Sequence, residues 1–233
     1  MKRKILFLFH VLLWTQNVLG GDLFGTATDL KTGEFRYSER HSISRGEDNL
    51  TKMIRADYLT KDGKVFASMI SDFTEDSFLP EIKFQDSRFS ISENQVYDRK
   101  QKKLILSKTE KNGEPQRKEL IVIDNMVSGQ GFNNFLLANF DFLEKKAIQF
   151  NFVVLSNMDF YRFEIGLGKS GSIDERAFVL GPGNFLFRMF FHPIEVAYDV
   201  KSKRLLRYKG LSNILSDAGK SQEVLITYKE GGP

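Results

Sequence analysis

Phe35-Arg-Tyr-Ser-Glu-Arg-His-Ser-Ile43 decides the fold class. Alternation with a period of two puts Phe35, Tyr37, Glu39, His41 and Ile43 on one face of an extended strand. Arg36, Ser38, Arg40 and Ser42 take the other face. The aromatic and aliphatic face predicts burial, and it would carry Glu39 and His41 inward with it. Upstream, residues 22–29 read as a partner strand, joined through Leu30-Lys-Thr-Gly-Glu34 as a hairpin.

The same logic extends along the chain. Residues 52–60 and 65–72 flank Asp62-Gly63, a pair that favours the tight turns whose twist matches antiparallel strands. Further strands are predicted at 81–86, 103–108, 118–123, 147–155, 160–167, 184–191, 194–200, 203–209 and 223–229. One segment has a different period. Phe132, Phe135, Leu136, Phe140 and Leu143 recur mostly at spacings of three and four, which predicts one amphipathic helix over 131–146. Lys145 and Lys146 suit its C-terminal turn. The expected architecture is therefore mainly β: a strongly curved antiparallel sheet or incomplete barrel of about eleven strands, covered or plugged by one amphipathic helix.

The N-terminus predicts export. Lys2, Arg3 and Lys4 precede Ile5-Leu-Phe-Leu-Phe-His-Val-Leu-Leu-Trp14, which is apolar except for His10. Thr15-Gln-Asn-Val-Leu-Gly20 follows, with a small residue suited to cleavage. The apolar run is shorter than the roughly 20 residues that span a bilayer. Residues 1–20 are expected to be a cleavable signal peptide and residues 21–233 a single β-rich domain, located in the periplasm with no stable membrane span after cleavage. Removing the three basic residues of the signal takes the formal charge from +4 to +1. That near balance, without a basic patch interleaved with aromatics, points away from nucleic acid as a partner.

The chain has no cysteine, which excludes disulfides, thiolate metal ligands and a lipid-modified cysteine anchor. Stability must come from the core. Phenylalanine numbers 22, and only Phe7 and Phe9 fall in the signal. Such side chains can fill a wide interior or line a lipid cavity, and composition does not separate the two.

Glu39 and His41 lie two apart on one strand face, where a carboxylate and an imidazole can hydrogen-bond or share a proton. That arrangement suits a polar ligand contact, an acid–base pair or a satisfied structural pair. No G-x-S-x-G or other nucleophile motif accompanies it. In 160–167, Tyr161, Phe163, Ile165 and Leu167 form an apolar face and Arg162 and Glu164 lie opposite. Arg162 there belongs either to a solvated face or to a polar mouth where it pairs with a ligand anion. His41 and His192 are far apart, and no HExxH or calcium-loop spacing occurs, so no metal and no cofactor is expected. Asp124 and Asn125 are expected to hold a corner by side-chain hydrogen bonds.

Several segments carry a resemblance. Gly25-Thr-Ala-Thr-Asp-Leu-Lys-Thr-Gly33, Tyr37-Ser-Glu-Arg-His41, Gly131-Phe-Asn-Asn-Phe135 and Tyr198-Asp-Val-Lys-Ser-Lys-Arg-Leu-Leu-Arg-Tyr-Lys-Gly-Leu-Ser-Asn213 look like an uncharacterised family of exported proteins from Gram-negative bacteria. The C-terminal hairpin also resembles one in the periplasmic lipoprotein-carrier and receptor fold. That resemblance implies an incomplete barrel with an apolar cavity for acyl chains.

The leading expectation is an exported, non-enzymatic protein that binds or carries a lipid or other amphiphile. Phe132, Phe135, Leu136 and Phe140 would line or cover the cavity, with Tyr37, Glu39, His41 and Arg162 contacting a polar group. A structural or protein-interaction module of the cell envelope with a fully packed core is the alternative. A hydrolase-like enzyme using Glu39 and His41 comes third.

Overall fold

The computed structural model describes residues 22–48, 50–111, 113–183 and 193–231. The export segment, the strand expected at 184–191 and His192 lie outside the described residues.

The opening hairpin forms as β1 (Leu23–Asp29) and β2 (Phe35–Arg45). An antiparallel meander continues through β3 (Thr51–Leu59), β4 (Val65–Asp72), β5 (Glu81–Asp86), β6 (Ile91–Asp98), β7 (Lys103–Thr109) and β8 (Gln116–Ile121). The chain then crosses to β9 (Met126–Ser128) and two short helices, α1 (Gly131–Ala138) and α2 (Phe140–Leu143). A second meander follows: β10 (Ile148–Val154), β11 (Asp159–Leu167), β12 (Glu175–Pro182), β13 (Ile194–Asp199), β14 (Leu205–Leu211) and β15 (Glu223–Glu230). β15 pairs with β1 and joins the two meanders into one sheet, ordered β8-β7-β6-β5-β4-β3-β2-β1-β15-β14-β13-β12-β11-β10-β9.

This corrects the expected architecture. The sheet is open, with β8 and β9 at its two ends and no ladder between them, so it is neither a strongly curved incomplete barrel nor a closed one. Among the described residues it has fifteen strands rather than about eleven, and β9 runs parallel to β10. The additional strands have physical reasons for being hidden. β6 reads Ile-Ser-Glu-Asn-Gln-Val-Tyr-Asp, too polar in its centre to show alternation. β9 has only three residues. β12 runs into Gly181-Pro182, which reads as a turn in isolation.

The single helix over 131–146 is also corrected. It divides at Asn139, whose backbone leaves the helical region (φ −110°, ψ 11°). The Asn139 side chain donates its Nδ2 hydrogen to the Phe135 carbonyl at 2.8 Å, a local bond that competes with helix continuation. Phe140 and Leu143 still turn inward, while Phe142 faces solvent. The apolar face expected on β11 is narrower than its pattern: Ile165 is buried, but Tyr161 and Leu167 are exposed.

Three apolar clusters hold the sheet. The first joins Phe135, Leu136, Phe140 and Leu143 to Phe150, Ile165, Phe178, Val196 and Tyr198. The second gathers Ala27, Tyr37, Ala56, Tyr58, Phe66, Phe84, Ile214 and Ile226 around β1–β5 and β15. The third brings Leu104, Leu106 and Leu120 of β7 and β8 against Met126 and Val153 of β9 and β10. β10 thus buries Phe150 on one face and Val153 on the other.

Candidate functional site

Glu39 sits in the middle of a cross-strand row. Tyr228 of β15 faces Gly25 of β1, Gly25 faces Glu39 of β2, and Glu39 faces Tyr58 of β3. The alternation of β2 does what its pattern predicts: Tyr37 and Glu39 are buried, while Arg36 and Ser42 are exposed. A carboxylate only 4% exposed must be satisfied by neighbours. His41 Nε2 bonds Glu39 Oε2 at 2.8 Å, and the Tyr228 hydroxyl donates to the same oxygen at 2.9 Å. With the Nε2 proton given to Glu39, His41 Nδ1 accepts from Gln130 Nε2 at 3.4 Å. Gln130 is the residue that caps α1, so this network ties β2 to the helical segment.

Tyrosines surround the carboxylate. Tyr37 shares a 2.7 Å hydrogen bond with Ser212, and its ring meets Tyr58 edge-on at 5.9 Å. Tyr58 accepts from Asn213 Nδ2 at 3.1 Å. Burial, and after it the Glu39 carboxylate, pushes the phenols of Tyr37, Tyr58, Tyr208 and Tyr228 above their ordinary value. A carboxylate–imidazole pair can relay a proton, but both ring nitrogens of His41 are engaged, one by Glu39 and one by Gln130. Among the described residues, no serine or threonine hydroxyl hydrogen-bonds either nitrogen.

The predicted phenylalanines form a separate group. Phe132 stacks on Phe150 at 5.7 Å and meets Phe152 edge-on at 6.2 Å. Phe135 contacts Phe150 and Phe78, and Phe140 contacts Phe178 and Tyr198. Leu136 is completely buried among them. These rings fill one another's spaces. Gly131 lets the start of α1 lie against the chain at Phe78, because a Cβ there would run into the Phe78 carbonyl.

Arg162 is in a third place. It faces Asn151 across the β10–β11 ladder and lines a polar depression of about 240 Å³ with Asn125, Gln149, Phe150 and Asn151. The neighbouring corner is not held by the Asp124 side chain, as expected, but by Asn151. Its backbone N–H donates to the Asn125 carbonyl at 2.8 Å and its Nδ2 to the Asp124 carbonyl at 3.1 Å.

No protein-family profile matches the chain. No curated protein matches it either. Among solved structures it is similar to the crystal structure of a beta-barrel-like protein of domain of unknown function DUF1849 from Brucella abortus. The two share 8% identity over 92% of this chain and 99% of that one, with a TM-score of 0.47. Among the described residues, no helix is long and apolar enough to cross a membrane. No group of three or more histidine, aspartate or glutamate side chains among them is arranged to hold a metal ion.

The structure therefore joins Tyr37, Glu39 and His41, links them through Gln130 to the phenylalanine group, and leaves Arg162 apart. Sequence reasoning missed Tyr228, Gln130 and Gly25. Gly25 carried a signal, since glycine inside a strand marks a close approach, but the approaching ring comes from a strand some two hundred residues away in the chain.

Proposed function

We propose that the chain is an exported, non-enzymatic module of the cell envelope that works through its surfaces around a fully packed core. The observation that carries this reading is the interlocking of the residues expected to line a cavity. Phe135, Leu136 and Phe140 are buried in ring-to-ring and aliphatic contacts with β10, β12 and β13. Glu39 and His41 serve in this reading as a satisfied polar tie between β2, β15 and α1. The charged head and apolar run of residues 2–14 support export to the periplasm. β8 has a ladder on one side only and an exposed Ile121, the kind of edge at which partner proteins add a strand.

Native mass spectrometry of the mature chain, purified from periplasm without detergent and followed by organic extraction, tests the packed-core reading. The expected mass is that of the bare polypeptide. A stoichiometric lipid or other amphiphile would replace this reading with that of a carrier.

A further inference from the structure

The depression beside Arg162 has the features of a built recognition site, and its polar lining residues are ones that the packed-core reading does not use. Two elements place its lining. The β10–β11 ladder sets Asn151 opposite Arg162 and Gln149 opposite Glu164. The corner before β9 adds Asn125, which holds a left-handed backbone (φ 55°). Asparagine is among the few non-glycine residues that adopt this conformation readily, and the two bonds from Asn151 pin it there.

The hydrogen-bonding inventory narrows the ligand. The Arg162 guanidinium has no side-chain or backbone acceptor among the described residues, whereas most other arginines of the sheet are paired with carboxylates. Its planar fork matches a carboxylate. The carboxamides are already committed in one sense. Gln149 Nε2 donates to Glu164 Oε2 at 3.4 Å, and Asn151 Nδ2 donates to the Asp124 carbonyl. Each amide nitrogen keeps its second N–H, and the two carboxamide oxygens, which accept no hydrogen bond among the described residues, call for an N–H. A fully ionised phosphate monoester has no donor and leaves those oxygens unanswered. A volume of about 240 Å³ admits a small acid or the last residues of a chain, not a folded surface.

We propose that this depression binds a carboxylate with an amide N–H beside it, the chemistry shared by an N-acylated amino acid and a peptide C-terminus. Arg162 takes the carboxylate, Gln149 and Asn151 accept from the N–H, and Asn125 closes the side of the site.

Titration of the ¹⁵N-labelled mature protein, followed on the Arg162 Nε–H and the Asn and Gln side-chain signals, tests the assignment. N-acetylglycine should produce saturable shifts at these positions, and N-acetylglycinamide, which lacks the carboxylate, should not. Arg162→Gln should weaken N-acetylglycine binding by about tenfold or more. Asn125→Gly keeps the left-handed corner while removing the carboxamide, and should weaken it several-fold with the remaining spectrum unchanged. An N-acetylated tripeptide with a free C-terminus that binds more tightly than N-acetylglycine assigns the site to peptide ends, and equal binding assigns it to small acyl-amino acids. Absence of saturable shifts, an unchanged affinity in Arg162→Gln, or inorganic phosphate binding as tightly as N-acetylglycine would overturn the proposal.

Discussion

The ring of Tyr228 lies over Gly25 so closely that a Cβ added to the glycine would meet Tyr228 Cε1 at 2.8 Å. This contact lets a side chain of β15 cross β1 and place its hydroxyl on Glu39 of β2. Gly25→Ala should push the ring aside and leave the buried carboxylate one donor short. The expected loss is about 1–3 kcal/mol, read from urea unfolding. Tyr228→Phe, which keeps the ring and removes the donor, should lose less than Gly25→Ala.

The buried phenols predict the alkaline limit of stability. Tyr37, Tyr58, Tyr198, Tyr208 and Tyr228 all have their ionisation raised, in each case first by burial. A raised value means that the folded state holds the proton more tightly than the unfolded chain, whose phenols titrate near pH 10. Their contribution is fully present below that pH and is lost as pH climbs through the folded-state values. Tyrosinate absorbance should therefore lag for these residues and then rise together with unfolding measured by far-UV circular dichroism. Smooth ionisation of all tyrosines with the fold intact would contradict this.

Phe135 tests whether the aromatic interior is packed. Its ring contacts Phe78 at 5.7 Å and Phe150 at 5.1 Å between centroids. Phe135→Ala should cost about 3–5 kcal/mol, the range for large core truncations. A lining residue of an empty lipid cavity would cost much less in the bare protein, so the size of the loss separates the two arrangements.

Arg88 fastens the segment between β14 and β15. It pairs with the buried Asp86 at 2.7 Å, reaches Asp217 at 3.0 Å and the Leu215 carbonyl at 3.0 Å, and lies over Phe66 at 3.9 Å. Arg88→Ala should cost roughly 2–3 kcal/mol, much of it from leaving Asp86 unpaired. Amide exchange should accelerate at Ile214, the fully buried side chain of this segment. Adding Asp86→Asn to Arg88→Ala should recover part of the global stability without restoring the protection of Ile214.

The legible parts of the fold were those with strong local patterns. β2 buries Tyr37 and Glu39 because alternation on a half-buried strand is a local property. β6 escaped because Glu93, Asn94 and Gln95 interrupt it, and Gln95 is tolerated inside only because Ser128 Oγ and the Pro80 carbonyl accept from it at 2.6 and 2.8 Å. β12 begins with Glu175, which is buried because Arg207 of β14 forks onto both its oxygens at 2.8 and 3.1 Å. Of the site, the pairing of Glu39 with His41 could be read from their spacing, but not the donors from Tyr228 and Gln130. Arg162 could be singled out as an arginine on a polar face. The carboxamides that surround it come from a corner and a neighbouring strand.

The sequence by itself determined the β character, most strand positions, the hairpin turns at residues 30–34 and 62–63, the inward face of β2 and the absence of thiol chemistry. Each is a property of neighbours along the chain: period, turn residues and composition. Only the tertiary structure decided that the fifteen strands of the described residues make one open sheet, that the helix breaks at Asn139, and that the phenylalanines interlock. These outcomes depend on which distant side chains meet, such as Tyr228 with Glu39 across Gly25, and a buried polar group or an aromatic ring is stable only when those particular partners arrive.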